Sequence, residues 1–214
     1  LTVPSELLQA TRPLLAEAFV VWGSPVSWLE LLAVALSLWM VERNLRVSPW
    51  AWPLAIAASL LYALLFGHSA LYGESALQFL FIGVALWGWR QWLVGRDDHG
   101  RPLELRRMTV QQRRLVAAVT LAAWPALGWV LDHATDSELP YFDALPTVGS
   151  VAGQLLLGLK RVENWLVWLA VNVLSVALFA YKSLWLTAVL YALFAALSVI
   201  GWRAWTRRMT HGTA

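Results

Sequence analysis

Apolar residues run along this chain in long blocks separated by short polar interruptions. Seven blocks can be drawn, at about residues 26–42, 50–67, 70–93, 114–132, 142–159, 164–181 and 184–205. Each approaches the roughly 20 residues that a helix needs to cross ~30 Å of hydrocarbon. Several are short or interrupted by Pro53, Pro125 or Pro146. The pattern predicts an all-α integral membrane protein with seven transmembrane helices. Residues 5–21 differ: Leu7, Leu8, Leu14, Leu15 and Phe19 are interspersed with Glu6, Gln9, Arg12 and Glu17. That mixture predicts a helix lying in the membrane interface.

The blocks repeat. Sliding residues 30–92 forward by 113 lays them on 143–205 without a gap. Ser37 meets Ser150, Trp52 meets Trp165, Leu65-Phe66 meets Leu178-Phe179, and Phe81 meets Phe194. Both copies close on the same motif, Gly88-Trp89-Arg90-x-Trp92 and Gly201-Trp202-Arg203-x-Trp205, and both open on an acid, Glu30 and Asp143. Internal repeats in an apolar chain are a signature of secondary transporters, whose substrate site lies between the halves. Three spans per copy is an odd number, so the second copy would be inverted without the lone block at 114–132. With that block as a linker helix, marked by Ala117, Ala118, Ala122 and Ala123, the two three-helix units run parallel. The expected organisation is an interfacial segment (1–25), a first repeat (26–93), a basic loop (94–113), the linker (114–132), a second repeat (142–205) and a tail (206–214).

Composition excludes an ordinary soluble domain: 59% of residues are hydrophobic and 14% charged, with mean hydropathy +0.59. No cysteine is present, so thiol chemistry and thiolate metal sites drop out. The pI near 9.6 does not indicate nucleic acid, because the basic residues sit in clusters between apolar blocks. Arg43 and Arg46 follow the first block, Arg96 to Arg114 the third, Lys160 and Arg161 the fifth, and Arg207 and Arg208 the last. All fall on one side of a seven-span layout, while Asp132, Asp136, Glu138 and Lys182 fall on the other. The positive-inside rule then puts the N-terminus outside and the C-terminus in the cytoplasm. Residues 1–22 lack the basic start and small-residue cleavage site of a signal peptide, so none is expected.

Enzyme signatures are missing: there is no HExxH, no Gly-rich phosphate loop and no serine elbow, and His68, His99, His133 and His211 are scattered. No catalytic group, metal site or cofactor is expected. The densest polar-aromatic cluster is Glu163-Asn164-Trp165-x-x-Trp168-x-x-x-Asn172. Trp165, Trp168 and Asn172 share one helical face. An amide inside a membrane helix is costly unless it meets a partner or a wet cavity, and two indoles offer flat surfaces to a cationic heteroaromatic ring. For Trp165 an interface anchor stands beside a cavity role; Trp168 and Asn172 lie deeper and favour the cavity. Gln78, Gln154, Ser150 and Thr147 supply either interhelical hydrogen bonds or cavity lining. Tyr62, Tyr72, Tyr181 and Tyr191 suit interface or pocket. Glu30 and Asp143 serve either as helix caps or as attractors of a cationic solute.

This constellation resembles the PnuC-type vitamin transporters of bacteria. The resemblance is carried by Glu163-Asn164-Trp165-x-x-Trp168 with Asn172, by Leu71-Tyr72 and Leu77-Gln78, by Asp143 through Ser150, and by both Gly-Trp motifs. It covers about residues 26–206. It implies a 3+1+3 fold like that of SWEET sugar transporters, a homotrimer in the bacterial inner membrane, and facilitated diffusion of nicotinamide riboside trapped by a cytoplasmic kinase. Thiamine is the alternative solute, and some relatives carry riboflavin. On this chain the implied pocket uses Trp165, Trp168, Asn172, Gln78 and Gln154.

Overall fold

The structure, a computed structural model, describes residues 13–21, 24–68, 72–97, 99–135, 139–181 and 185–211. Among these, seven long helices carry the fold: α1 (Trp28–Leu45), α2 (Ala51–His68), α3 (Tyr72–Val94), α4 (Val110–Ala134), α5 (Pro140–Gly158), α6 (Asn164–Tyr181) and α7 (Trp185–His211). Each coincides with one apolar block. Helices α2, α4, α6 and α7 are long and apolar enough to cross a membrane. Their starts are written locally. Ser27 caps α1 by accepting the Glu30 N–H at 3.2 Å. Thr109 and Gln112 form a reciprocal capping box on α4, and Pro140 opens α5.

Three expectations need correction. Residues 17–21, assigned to an interfacial helix, form strand β1 (Glu17–Val21), paired antiparallel with β2 (Ser24–Ser27). Phe19, Val20 and Val21 favour extended backbone, and Pro25 suits the edge of a short ribbon. The earlier part of that segment, residues 1–12, lies outside the described residues, as do Asp136, Glu138 and Lys182. The basic loop ends sooner than expected, because residues 110–113 already belong to α4. The tail begins later, because α7 continues to His211.

The sequence repeat is a backbone repeat. Between α1 and α2, Arg46, Val47 and Ser48 donate their N–H groups to the carbonyls of Glu42, Asn44 and Arg43. Between α5 and α6, Leu159, Lys160 and Arg161 donate to Leu155, Leu157 and Leu156. Every donor and acceptor is shifted by 113. Val47 and Lys160, also 113 apart, are the non-glycine residues at positive φ among those described, 57° and 52°. Each takes the left-handed position that ends a helix.

Packing follows the same relation. Helix α2 lies against α1 and α3, and α6 against α5 and α7. The halves meet where α3 contacts α5 and where α1 contacts α7. Helix α4 packs chiefly on α5, where the Trp124 Nε1–H donates to the Tyr141 carbonyl at 2.7 Å. Large apolar side chains such as Leu115, Val119, Leu121, Phe142 and Val173 stand exposed, the surface expected of a bundle solvated by lipid.

The segment between α3 and α4 is bolted to the α5–α6 turn. Arg106 N–H donates to the Lys160 carbonyl, and Val162 N–H to the Arg106 carbonyl. Lys160 Nζ donates to the Leu103 carbonyl at 2.8 Å; burial pushes this ammonium below the ordinary lysine range. The Asp97 carboxylate is held below the usual carboxylate range, first by the Arg101 N–H, then by the Arg106 guanidinium and the His99 N–H. A depressed folded pKa lends stability above the ordinary aspartate range, lost as pH falls through the folded value. Glu163 is buried and accepts from Met108 N–H (3.0 Å) and Arg113 Nη2 (2.8 Å). Arg113→Ala leaves that carboxylate without its counter-ion. It should lower stability by about 1–3 kcal/mol, the half-exposed arginine limiting the effect. Thermal unfolding in detergent checks this through a double-mutant cycle with Glu163→Gln; purely additive losses would show that the pair does not couple.

Candidate functional site

A cavity of about 480 Å³ lies between the two halves. Helices α1, α2 and α3 from one side and α5, α6 and α7 from the other contribute to its wall. Repeat-related residues line it in pairs: Ser37 and Ser150, Ser59 and Asn172, Gln78 and Tyr191, Phe66 and Phe179, Phe81 and Phe194. One pair is unequal. Trp168 stands where the first half has Ala55, so the second half supplies an indole and the first leaves room for it.

Nine of the residues singled out from the sequence line this space: Tyr62 on α2, Gln78 on α3, Ser150 and Gln154 on α5, Asn164, Trp165, Trp168 and Asn172 on α6, and Tyr191 on α7. The half-buried Trp168 lies against Gly153. A Cβ there would sit 3.0 Å from its Cε2, so the glycine seats the indole close to the α5 backbone. Asn172 is buried and donates through Nδ2 to Ser198 Oγ at 3.2 Å, and the Ser198 hydroxyl in turn donates to the Phe194 carbonyl at 2.8 Å. Tyr191 stacks on Phe179, ring centroids 5.1 Å apart, and Tyr62 on Phe66 at 5.9 Å. Trp165 is almost fully buried and so is not an interface anchor.

Other candidates lie elsewhere. Thr147 returns its hydroxyl to the Asp143 carbonyl at 3.0 Å and is not among the lining residues. Tyr181 is exposed and away from the cavity; the Tyr72 side chain lies outside the described residues. Of the two acids opening the repeats, Glu30 lines the cavity and Asp143 does not. Sequence reasoning missed Asn44, Thr187 and Ser198. Asn44 stands among charged residues at the end of an apolar block, and only its contact with the opposite half draws it inward.

The two ends of the cavity differ. Toward the starts of α1 and α3, Glu30, Leu65 and Phe66 also border a recess against the hairpin residues Glu17, Pro25, Val26 and Ser27. Toward the α1–α2 and α5–α6 turns, the lining residue Trp165 joins three further buried indoles in one cluster. Trp52 meets Trp92 edge-on at 5.5 Å, Trp165 meets Trp205 edge-on at 5.6 Å, and Trp92 meets Trp205 at 6.2 Å. The repeated glycines make this possible. A Cβ at Gly88 would lie 2.2 Å from the Trp52 ring, and one at Gly201 2.3 Å from the Trp165 ring. Two reciprocal hydrogen bonds tie the halves here: Trp92 Nε1–H to the Leu157 carbonyl at 3.0 Å, and Trp205 Nε1–H to the Asn44 carbonyl at 2.9 Å. Donors and acceptors are again 113 apart, so the C-terminal ends of α1, α3, α5 and α7 gather at one end of the bundle.

Apolar spanning helices enclosing a polar-aromatic cavity between two like halves are the build of a multi-pass membrane transporter. The chain belongs to the family described as nicotinamide mononucleotide transporter, whose model matches residues 27–207. The riboflavin/roseoflavin transporter RibM of Streptomyces davaonensis is 28% identical, covering 90% of this chain and 91% of that one. The nicotinamide riboside transporter PnuC of Neisseria mucosa is also 28% identical, covering 89% and 76%. A crystal structure of the vitamin B3 transporter PnuC matches with TM-score 0.67 and 27% identity, over 84% of this chain and 81% of that one.

Proposed function

We propose that this protein carries nicotinamide riboside inward across the bacterial inner membrane by facilitated diffusion, and that a cytoplasmic kinase traps the solute. The observation that carries the reading is the cavity between the halves, where Trp168 offers a stacking surface and Asn172, Gln154, Gln78 and Ser150 offer neutral hydrogen bonds. Stacking plus neutral bonds binds a flat cation firmly enough to select it and weakly enough to release it on either side. Among the described lining residues the charged side chain is Glu30, with no lysine or arginine. That favours a riboside over a phosphorylated nucleotide, whose phosphate would enter without a counter-charge.

In this reading the seven helices span the bilayer as two parallel three-helix units joined by α4, with the N-terminus outside and the basic turns in the cytoplasm. The pair of indole-to-carbonyl bonds seals the cytoplasmic end, and rocking of the halves breaks it to release the solute. A homotrimer is the expected assembly. Thiamine, also flat and cationic, is the alternative solute. Riboflavin is a second reading, favoured by the fuller mutual coverage with RibM and by a cavity roomy enough for a three-ring system.

Flux into vesicles tests these readings. Labelled nicotinamide riboside should equilibrate across proteoliposomes with no ion gradient, and ionophores should leave the rate unchanged. Uptake of riboflavin alone would transfer the assignment to the second reading. Absence of flux for all three vitamins would overturn the proposal.

A further inference from the structure

We propose that the inner end of the cavity is a separate subsite for the hydroxylated part of the solute, with Asn44 of the first half as a ligand beside Asn164 and Trp165 of the second. This rests on the transport reading above and extends it to the orientation of the bound molecule.

The evidence is a cluster of orphaned polar atoms. Asn44 Oδ1, Asn164 Oδ1, Trp165 Nε1 and Trp52 Nε1 are buried without a hydrogen-bond partner among the described residues. The Glu42 carboxylate and Arg43 Nε share that condition by hydrogen-bond geometry but are ion-paired, Glu42 with both Arg43 and Arg46. Thr206 Oγ1 on α7 is also unpartnered but does not line the cavity. Asn44 is 4% exposed, Asn164 0% and Trp165 4%, and all three line the cavity. Unpaired polar groups at such depth are rare in folded chains, and three on residues that line one cavity call for a common explanation. Asn164 cannot simply turn over to relieve its oxygen, because its Nδ2 donates to the Arg161 carbonyl at 2.6 Å.

What would satisfy them is chemically narrow. The asparagine oxygens accept and the indole N–H donates, so the complementary group must do both. A hydroxyl does, and neighbouring hydroxyls of a sugar or polyol match two acceptors and a donor together. A flat ring at Trp168, one turn or so farther along α6, then leaves its hydroxylated substituent pointing toward the indole seal. Asn44 touches both halves: it lines the cavity, and its backbone carbonyl accepts the Trp205 bond that ties the halves together. The second half has Leu157 at the related position, so this polar contact comes from the first half alone.

The experiment compares matched ligands with and without the hydroxylated part, using calorimetry on the purified full chain. The pairs are nicotinamide riboside against 1-methylnicotinamide, and riboflavin against lumiflavin. On the unaltered protein, the hydroxylated member of whichever pair binds should bind at least about tenfold tighter. Asn44→Leu, nearly unchanged in volume, and Asn44→Ala should each erase most of that advantage while leaving the bare ring's affinity within about twofold. Equal loss for both members, or no loss for either, overturns the subsite while the transport reading stands. Should the unaltered protein bind neither pair, the subsite falls; the transport reading falls with it only if thiamine does not bind either. If both variants fail to fold, the unaltered protein decides: equal affinity for the two members of a binding pair overturns the proposal.

Discussion

Trp168→Ala should reduce solute affinity by about ten- to a hundredfold while leaving the protein folded. Stacking of a flat ring on an aromatic side chain contributes roughly 1–3 kcal/mol by alanine substitution, and Trp168 is the cavity's indole with no counterpart in the first half. Its ring is only half-buried, and it rests on Gly153 rather than within the four-indole seal. Removing it should therefore cost little stability. Trp168→Phe should keep part of the affinity, since the face is smaller but the stacking mode survives. Radioligand binding is the suitable measurement, because fluorescence would itself change with the loss of an indole. An alanine variant that binds as tightly as the parent would remove the stacking platform from the mechanism.

Gly88→Ala and Gly201→Ala should each be severely destabilising, by about 3 kcal/mol or more. Non-bonded carbons sit comfortably at roughly 3.5–4.0 Å, whereas the added Cβ would meet the Trp52 or Trp165 ring at 2.2 and 2.3 Å. The rings cannot withdraw cheaply, because each is held edge-on by Trp92 or Trp205, and those indoles are tethered to carbonyls of the opposite half. Overpacking of this kind shifts backbone as well as side chain. Gly83→Ala is the matched control: nothing stands within 4 Å of its Cβ position, and helix propensity alone should make it neutral or stabilising by up to about 1 kcal/mol. Thermal unfolding of the three variants in one detergent separates the two classes. Similar melting for Gly88→Ala and Gly83→Ala would mean that the indole seal yields more readily than its bracing implies.

The seal links the two kinds of residue that matter here. Trp165 belongs both to the cavity wall and to the indole cluster, and Asn44 both to the cavity and to a cross-half bond. A solute seated between the halves, as proposed above, would therefore lie against the groups that join the halves at the α1–α2 and α5–α6 turns. That arrangement suits a carrier whose halves rock about a fixed site, because any relative motion must break the Trp92 and Trp205 bonds together.

Much of this was written in the chain. The seven helices follow from apolar block length, since each block must satisfy its backbone internally if it is to sit in lipid. The repeat was readable because the same turn must be built twice, down to the left-handed residues Val47 and Lys160. Nine candidates, Trp168 and Asn172 among them, line one cavity, since a polar side chain in an apolar helix has few places to go; Thr147 took another of those places, the Asp143 carbonyl of its own helix. The strand pair Glu17–Val21 and Ser24–Ser27 was not legible: a short mixed segment carries no dominant period, and pairing between two strands decided it. Asn44, Ser198 and the orphaned indole nitrogens were equally silent, because their meaning depends on which atoms of the other half approach them. Sequence alone determined the helices, their repetition and the chemistry available to a solute. Tertiary packing alone decided where the halves are tied together and which polar atoms lack a partner, because contacts between distant segments leave no local signature in either one.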